Sequence, residues 1–284
     1  MPLLAVPNVS EGRDAAVLAA IGAAFAADGV TRVLDVHTDP DHHRTVFSLA
    51  GEPGSLAAAV VRGARVAVER IDLTRHSGVH PRVGALDVAP IVHLDDAARG
   101  AAVAEALVLA DRLAEDLGVP VYLYDALGGG RTRAQLRRDG GALLHELAPD
   151  FGPSERHPTA GATLVTARPP LVAFNVELAP PATLADARRI AALIREGGAE
   201  GLPSVRALGV PLERSGAVQV TTNIEDHRAT TPGALVEAVR RHAGVTRAEL
   251  VALAPEAAFA DFPADVPMPG FDPDKRLIER LLRA

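Results

Sequence analysis

Residues 74–87 read Thr74-Arg75-His76-Ser77-Gly78-Val79-His80-Pro81-Arg82-Val83-Gly84-Ala85-Leu86-Asp87. The stretch sets two histidines, two arginines, a proline and two glycines between an amphipathic helical pattern over 56–71 and an apolar strand pattern over 85–94. A plain connector has no need of so many ionisable groups. Pro81 restricts His80 to extended backbone, so His80 sits in a loop and not on a helix. A neutral imidazole can give or take a proton near neutral pH, and Arg82, two residues on, points to the same side of an extended segment and can meet an anion. From spacing alone, a polar connector with incidental histidines stands beside the reading of an active-site loop.

Working back towards the N-terminus, an apolar run over 3–9 predicts a strand, and Ser10-Glu11-Gly12-Arg13-Asp14 supplies cap-type residues before a helix over 15–27. Strands follow over 31–36 and 44–50, joined by the polar turn 37–43. With the helix over 56–71 and the strand over 85–94, the order is β-α-β-β-α-β, the split βαβ or ferredoxin-like unit. A helix from Asp95 or Asp96 to Leu117 ends at Gly118. A strand over 119–124, a Gly128-Gly129-Gly130 break, an arginine-rich helical stretch over 131–147 and a strand over 162–167 come next. The pattern then restarts: strand 171–178, helix 184–196, strands 204–210 and 218–223, helix 232–242, strand 247–253. The halves share a pattern and not their residues. The predicted fold is α+β, two ferredoxin-like (βαββαβ) subdomains spanning 1–178 and 179–284, followed within the second by a loop-like tail over 259–271 and a short charged helix over 272–283.

Bulk properties bound the function. At 284 residues, with 48% hydrophobic and 23% charged side chains, the chain can bury cores of globular size. Aromatics are only 3%, so those cores must be built from Ala, Val and Leu. A net charge of −7 with no basic stripe argues against nucleic acid. The absence of Cys removes disulfides and thiolate chemistry. The N-terminus is not a signal peptide, and no run reaches the length of a membrane span, so a cytoplasmic protein without a membrane partner is expected.

Other clusters are less specific. The turn His37-Thr38-Asp39-Pro40-Asp41-His42-His43-Arg44 is good turn chemistry as well as a possible site. Together with His76 and His80 it has enough ligands for a metal, but Ser77-Gly78 and Pro81 break the helix that a His-x-x-x-His pair needs, and no metal is expected. The glycines at 128–130 lack the Gly-Lys-Ser/Thr ending of a nucleotide loop, and most of the arginines after them read as a solvated helix face. His157-Pro158-Thr159-Ala160-Gly161-Ala162-Thr163 leads into a strand with small residues that let a ligand approach the backbone.

Together these stretches resemble the formiminotransferase family, the glutamate formimidoyltransferases. The resemblance is carried by VPNVSEG (6–12), HTDPDH with Arg44-Thr45-Val46, GVHPRVGALD (78–87), LGVPVYLY (117–124), PDFGP (149–153), HPTAGAT (157–163), Ala167-Arg168, Ala173-Phe174-Asn175-Val176, and Gln219, Val220 and Asn223. It is dense through about residue 180 and thinner beyond. It implies transfer of a formimino group from N-formimino-L-glutamate to tetrahydrofolate, a co-substrate, in histidine degradation. It also implies two subdomains with a ligand groove between them, assembled as a homodimer and corresponding to the transferase half of formimidoyltransferase-cyclodeaminase. By the family pattern His80 is the catalytic acid/base, and Gly161, Ala162, Thr163, Leu164, Val165, Thr166, Ala167 and Arg168 line the folate site. Arg44, Arg82 and Arg168 suit anionic substrates. Asp39, Asp41 or Asn175 offers an edge to the pterin, and His42 completes the substrate-binding set. A one-carbon transferase with another amine, and a folate-binding protein without turnover, are the alternatives. The chain departs from the family pattern at His43 and Glu177, commonly Asn, at Thr166, commonly Gly, and at Pro170, commonly aromatic.

Overall fold

The computed structural model describes residues 2–40, 42–77, 82–212 and 215–283, with the Asp139 side chain excepted. The chain divides into two compact units, Met1–Pro169 and Pro170–Ala284.

In the first unit the opening apolar run forms two short strands, β1 (Leu3–Ala5) and β2 (Asn8–Val9), where one was expected. The interruption falls at Val6-Pro7, because Pro7 has no N–H to give to the ladder. The bonds that remain, Val6 N–H to the Pro90 carbonyl and Phe47 N–H to the Pro7 carbonyl, keep both halves in line. Helix α1 (Ala15–Phe25) starts at Asp14, whose carboxylate accepts from the N–H groups of Ala16 and Val17. Strands β3 (Arg32–Asp39) and β4 (Arg44–Gly51), helix α2 (Leu56–Arg70) and strand β5 (Leu86–Val92) complete the expected β-α-β-β-α-β order. Strands β1 and β2 lie antiparallel between β4 and β5, and β3 pairs antiparallel with β4.

The sheet then extends past β5. After α3 (Arg99–Leu117) come β6 (Val121–Leu123), α4 (Arg133–Gly141) and β7 (Thr163–Arg168). Strand β7 runs parallel to both β5 and β6 and lies between them. This parallel part is covered on both faces. Leu86, Ala89, Ile91 and Val165 pack with α1, α2 and α3 in the main core. Val88, Tyr122, Tyr124 and Leu164 pack on the other side against Leu136 of α4 and Leu144. Burial on both sides explains why β5 and β7 are buried almost without alternation and mostly apolar, with Asp87, Thr163 and Thr166 as hydrogen-bonded exceptions. The arginine-rich stretch expected as one helix over 131–147 breaks at Gly140 and Gly141, both at positive φ, and ends in a 3-10 turn at Ala142–His145.

In the second unit, β8 (Val172–Leu178), α5 (Leu184–Ile194), β9 (Val205–Pro211), β10 (Val218–Ile224), α6 (Pro232–Arg240) and β11 (Val245–Val251) repeat the order. The sheet runs β11-β8-β10-β9, antiparallel throughout. Among the described residues strand β8 pairs with β10 and β11 of this sheet, and the division falls at Pro169–Pro170 where 178/179 was expected. The tail expected as loop brings Phe259, Phe262 and Phe271 onto the core, with Phe262 edge-on to Phe174 at 5.8 Å. The closing helix is two pieces, α7 (Pro273–Arg276) and α8 (Ile278–Arg283). Among the described residues no helix is long and apolar enough to cross a membrane.

Candidate functional site

The described end of the loop quoted at the start, from Val83 to Ala85, meets the segment before β7: the Ala162 N–H donates to the Val83 carbonyl and the Ala85 N–H to the Ala160 carbonyl, both at 2.9 Å. Ser10 ties its far side: the Ser10 hydroxyl donates to the Gly84 carbonyl at 2.7 Å, and the Ser10 N–H to the Ala85 carbonyl at 2.8 Å. Glu11 accepts at Oε1 from the N–H groups of Gly12, Arg13 and Asp14, at 2.9, 2.7 and 3.0 Å, holding the turn into α1. Gly12 lies so close to the Asp39 carbonyl and the Arg44 N–H that no side chain fits. Those contacts fix the ends of the β3–β4 turn against the segment over residues 10–14.

His43 sits in that turn at φ 50, a left-handed conformation that Asn and His tolerate better than most residues. Its Nδ1 accepts the Gly12 N–H at 3.0 Å, which places the proton of the neutral ring on Nε2. The His43 ring stacks on His76, centroids 4.1 Å apart and planes at 29°. Both ring nitrogens of His76 are buried and form no well-aligned hydrogen bond, with the His43 backbone alongside the ring. Burial pushes the His76 imidazole down and the charges of Arg82 and His43 push it further, against the His43 backbone and Glu11, which raise it. Burial also lowers His43; Glu11 opposes this, and Arg13 and Arg82 reinforce it. The two rings help to line an open hollow of about 410 Å³ with Glu11, Asp14, Arg70, Ile71, Asp72 and Arg75. Arg82 donates to the His76 carbonyl at 3.1 Å, bracing the two ends of the loop.

Asp87 lies behind the loop, fully buried. Its Oδ1 accepts the Val83 N–H at 2.7 Å, and its Oδ2 accepts from Arg44 Nη1 at 2.5 Å and from Arg137 Nη2. Burial alone would raise this carboxyl, but Arg137 and Arg44 hold it far below the usual carboxylate range. Burial pushes Arg137 down to about 10, with Asp87 opposing, so the guanidinium stays charged at neutral pH. Arg44 Nε also donates to the Asn8 side chain at 3.0 Å.

Of the residues expected from the sequence, Arg44 and Arg82 gather here. His80 and Asp41 lie outside the described residues. Asp39 and His42 bind each other at 2.5 Å at the tip of the turn. Asn175 is in the second unit, where its amide donates to Glu249 at 3.1 Å and accepts from Thr221 at 2.5 Å. Residues 161–168 are largely core: Gly161 bridges to Gly84, Thr163 donates to the Leu86 carbonyl at 2.8 Å, Leu164 and Val165 are fully buried, and Thr166 donates to the Tyr124 carbonyl at 2.8 Å. Ala162 and Ala167 are buried as well, and Arg168 stands at the end of the strand. The charge added by Glu177 is met by Arg247 at 2.8 Å.

The sequence reading missed Asp87 as a clamp and Arg137 as its partner. A lone acid inside an otherwise apolar strand was the available signal, since such a group survives only when paired. No group of three or more His, Asp or Glu among the described residues is arranged to hold a metal ion.

The N-terminal subdomain model of the formiminotransferase domain matches residues 3–168, and the formiminotransferase domain model matches residues 173–263. The chain belongs to the formiminotransferase family. It is 36% identical over 293 residues to glutamate formimidoyltransferase of Streptococcus pyogenes serotype M1, covering 98% of this chain and 97% of that protein. The glutamate formimidoyltransferase of Thermoplasma acidophilum is 36% identical over 272 residues, covering 90% of this chain and 89% of that protein. Formimidoyltransferase-cyclodeaminase of Sus scrofa is 38% identical over 275 residues, and there this chain spans only 50% of the relative's length. The two matched segments of the formiminotransferase domain fall either side of the Pro169–Pro170 division.

Proposed function

We propose that the protein is a glutamate formimidoyltransferase, moving the formimino group of N-formimino-L-glutamate to N5 of tetrahydrofolate. The observation that carries this reading is the end-to-end similarity to the Streptococcus enzyme, which spans both units. The bond from N5 to the formimino carbon forms, the bond from that carbon to the glutamate nitrogen breaks, and the N5 proton ends on the departing amine. One imidazole can take the first proton and deliver it to the leaving group. His80 is that group in our reading, supported by its place in the family loop between His76 and Arg82. The described groups around the loop have supporting tasks. Arg82 braces the loop ends. Asp87 with Arg44 and Arg137 makes a rigid floor beneath it, the pre-organisation that positioning two anionic substrates requires. The strand over 161–168 lines the folate site in this reading, chiefly with its backbone and with Arg168, because its apolar side chains are buried in core. We read both units as ferredoxin-like, the first extended by β6 and β7, and the protein as a cytoplasmic homodimer. The test is direct: purified protein is mixed with formimino-glutamate and tetrahydrofolate, and formation of 5-formimino-tetrahydrofolate is followed. Product that needs both substrates is expected; no product with either donor concentration or folate raised to saturation contradicts the reading.

A further inference from the structure

Tyr124 is fully buried at the end of β6, and its hydroxyl forms no well-aligned hydrogen bond, with the Arg168 guanidinium alongside it. Its neighbour Tyr122, on the same face, is satisfied: its hydroxyl donates to the Leu144 carbonyl at 2.9 Å. A buried hydroxyl left unpaired costs stability, and native proteins keep few of them. Two more unpaired buried donors, Nε of Arg137 and Nε of Arg168, belong to side chains that bear on the same tyrosine.

The backbone explains the convergence. Arg133 and Arg137 stand one turn apart on α4 and share a face. The Arg133 guanidinium lies 5.7 Å above the Tyr124 ring, a cation–π distance. Thr166 and Arg168 share a side of β7, and the Thr166 hydroxyl donates to the Tyr124 carbonyl. With Arg44, which shares Asp87 with Arg137, four guanidiniums gather near the carboxylates Asp87 and Asp125 among the described residues. Neither Arg133 nor Arg168 has an ion pair among the described residues. Buried guanidinium donors left unpaired, Nε of Arg137 and Nε of Arg168, are costly alone and are relieved by an anion that accepts several hydrogen bonds.

We propose that Tyr124, Arg133, Arg137 and Arg168 form a carboxylate-binding subsite that anchors an acidic substrate. This rests on the transferase reading, in which both substrates carry carboxylates: the donor's glutamate and the glutamyl end of the folate. The shared chemistry is a carboxylate taking the Tyr124 O–H and guanidinium N–H groups.

Tyr124→Phe is the decisive variant. It removes a hydroxyl whose protein neighbour is the Arg168 guanidinium, so a merely structural role predicts lowered thermal stability with unchanged affinity. Arg133→Met removes the cation and leaves the Asp87 clamp alone. Binding of formimino-glutamate, tetrahydrofolate and glutarate to wild type and both variants is measured by calorimetry, beside turnover. Loss of one charge-assisted hydrogen bond is expected to weaken binding about tenfold or more. Weakening confined to formimino-glutamate and glutarate assigns the subsite to the donor; weakening confined to tetrahydrofolate assigns it to the acceptor. An active wild type whose constants move less than about twofold in both variants overturns the subsite, as does calorimetric binding of none of the three probes. A wild type that binds glutarate through Tyr124 but never turns over overturns the transferase reading and leaves the subsite standing.

Discussion

At the residue scale the account turns on groups that burial forces into partnership. Asp87 is wholly buried between two guanidiniums that are themselves nearly so, with side-chain exposures of 11% for Arg44 and 12% for Arg137. Asp87→Asn leaves two buried positive charges without a counter-ion and is expected to cost roughly 3–5 kcal/mol. Urea unfolding checks this, and a loss below about 1 kcal/mol contradicts the clamp. The stacked pair His43 and His76 gives a pH prediction. Their folded values lie below the ordinary histidine value, so the unfolded chain takes up protons first as the pH falls. The pair's contribution to stability is complete above about pH 6.5 and is lost as pH falls through the folded values. His76→Gln should flatten the dependence of stability on pH between about 7 and 5, read from unfolding curves across that range; a slope equal to wild type contradicts it. Neither arrangement could be read from the sequence. Asp87 and His76 were both in the quoted stretch, but their partners Arg137, on α4, and His43, in the β3–β4 turn, are distant in sequence and only the fold brings them together.

At the scale of elements, the helices and most strands were legible because their apolar spacing is regular and their caps are sharp: Asp14, Thr183 and Thr231 each bond N–H groups in the first turn. What was not legible has local causes. Pro7 cuts a strand in two, Gly140 and Gly141 end a helix early, and β7 and β8 are adjacent in sequence yet lie in different sheets. Hydrophobic spacing reports that a segment is a strand and is silent about its neighbour. The join between β5 and β7 rests on close backbone contact. A Cβ on Gly84 would run into the Ala162 carbonyl, at the point where Gly84 also meets Gly161 and takes the Ser10 hydroxyl. Gly84→Ala is expected to force the two strand entrances apart, costing about 1–3 kcal/mol or more, and to lower activity by displacing the loop. Thermal unfolding and turnover measure both, and wild-type values in each contradict this role for Gly84.

For the whole molecule, the doubled β-α-β-β-α-β pattern was legible because each unit carries its own apolar set and builds its own core. The extension of the first sheet by β6 and β7 was not, since parallel strands separated by long crossovers leave no mark of their order in the sequence. The loop at 74–87 was recognisable from its residues, while the surroundings that give it meaning, the Asp87 clamp and the histidine stack, needed the fold. The central claim joins that loop to formimino transfer. Single-turnover transfer from formimino-glutamate to tetrahydrofolate is therefore compared between wild type and His80→Ala. Removal of the proton carrier should slow transfer by about 10²–10⁴-fold with folate affinity unchanged. A His80→Ala protein that transfers at the wild-type rate would contradict the account.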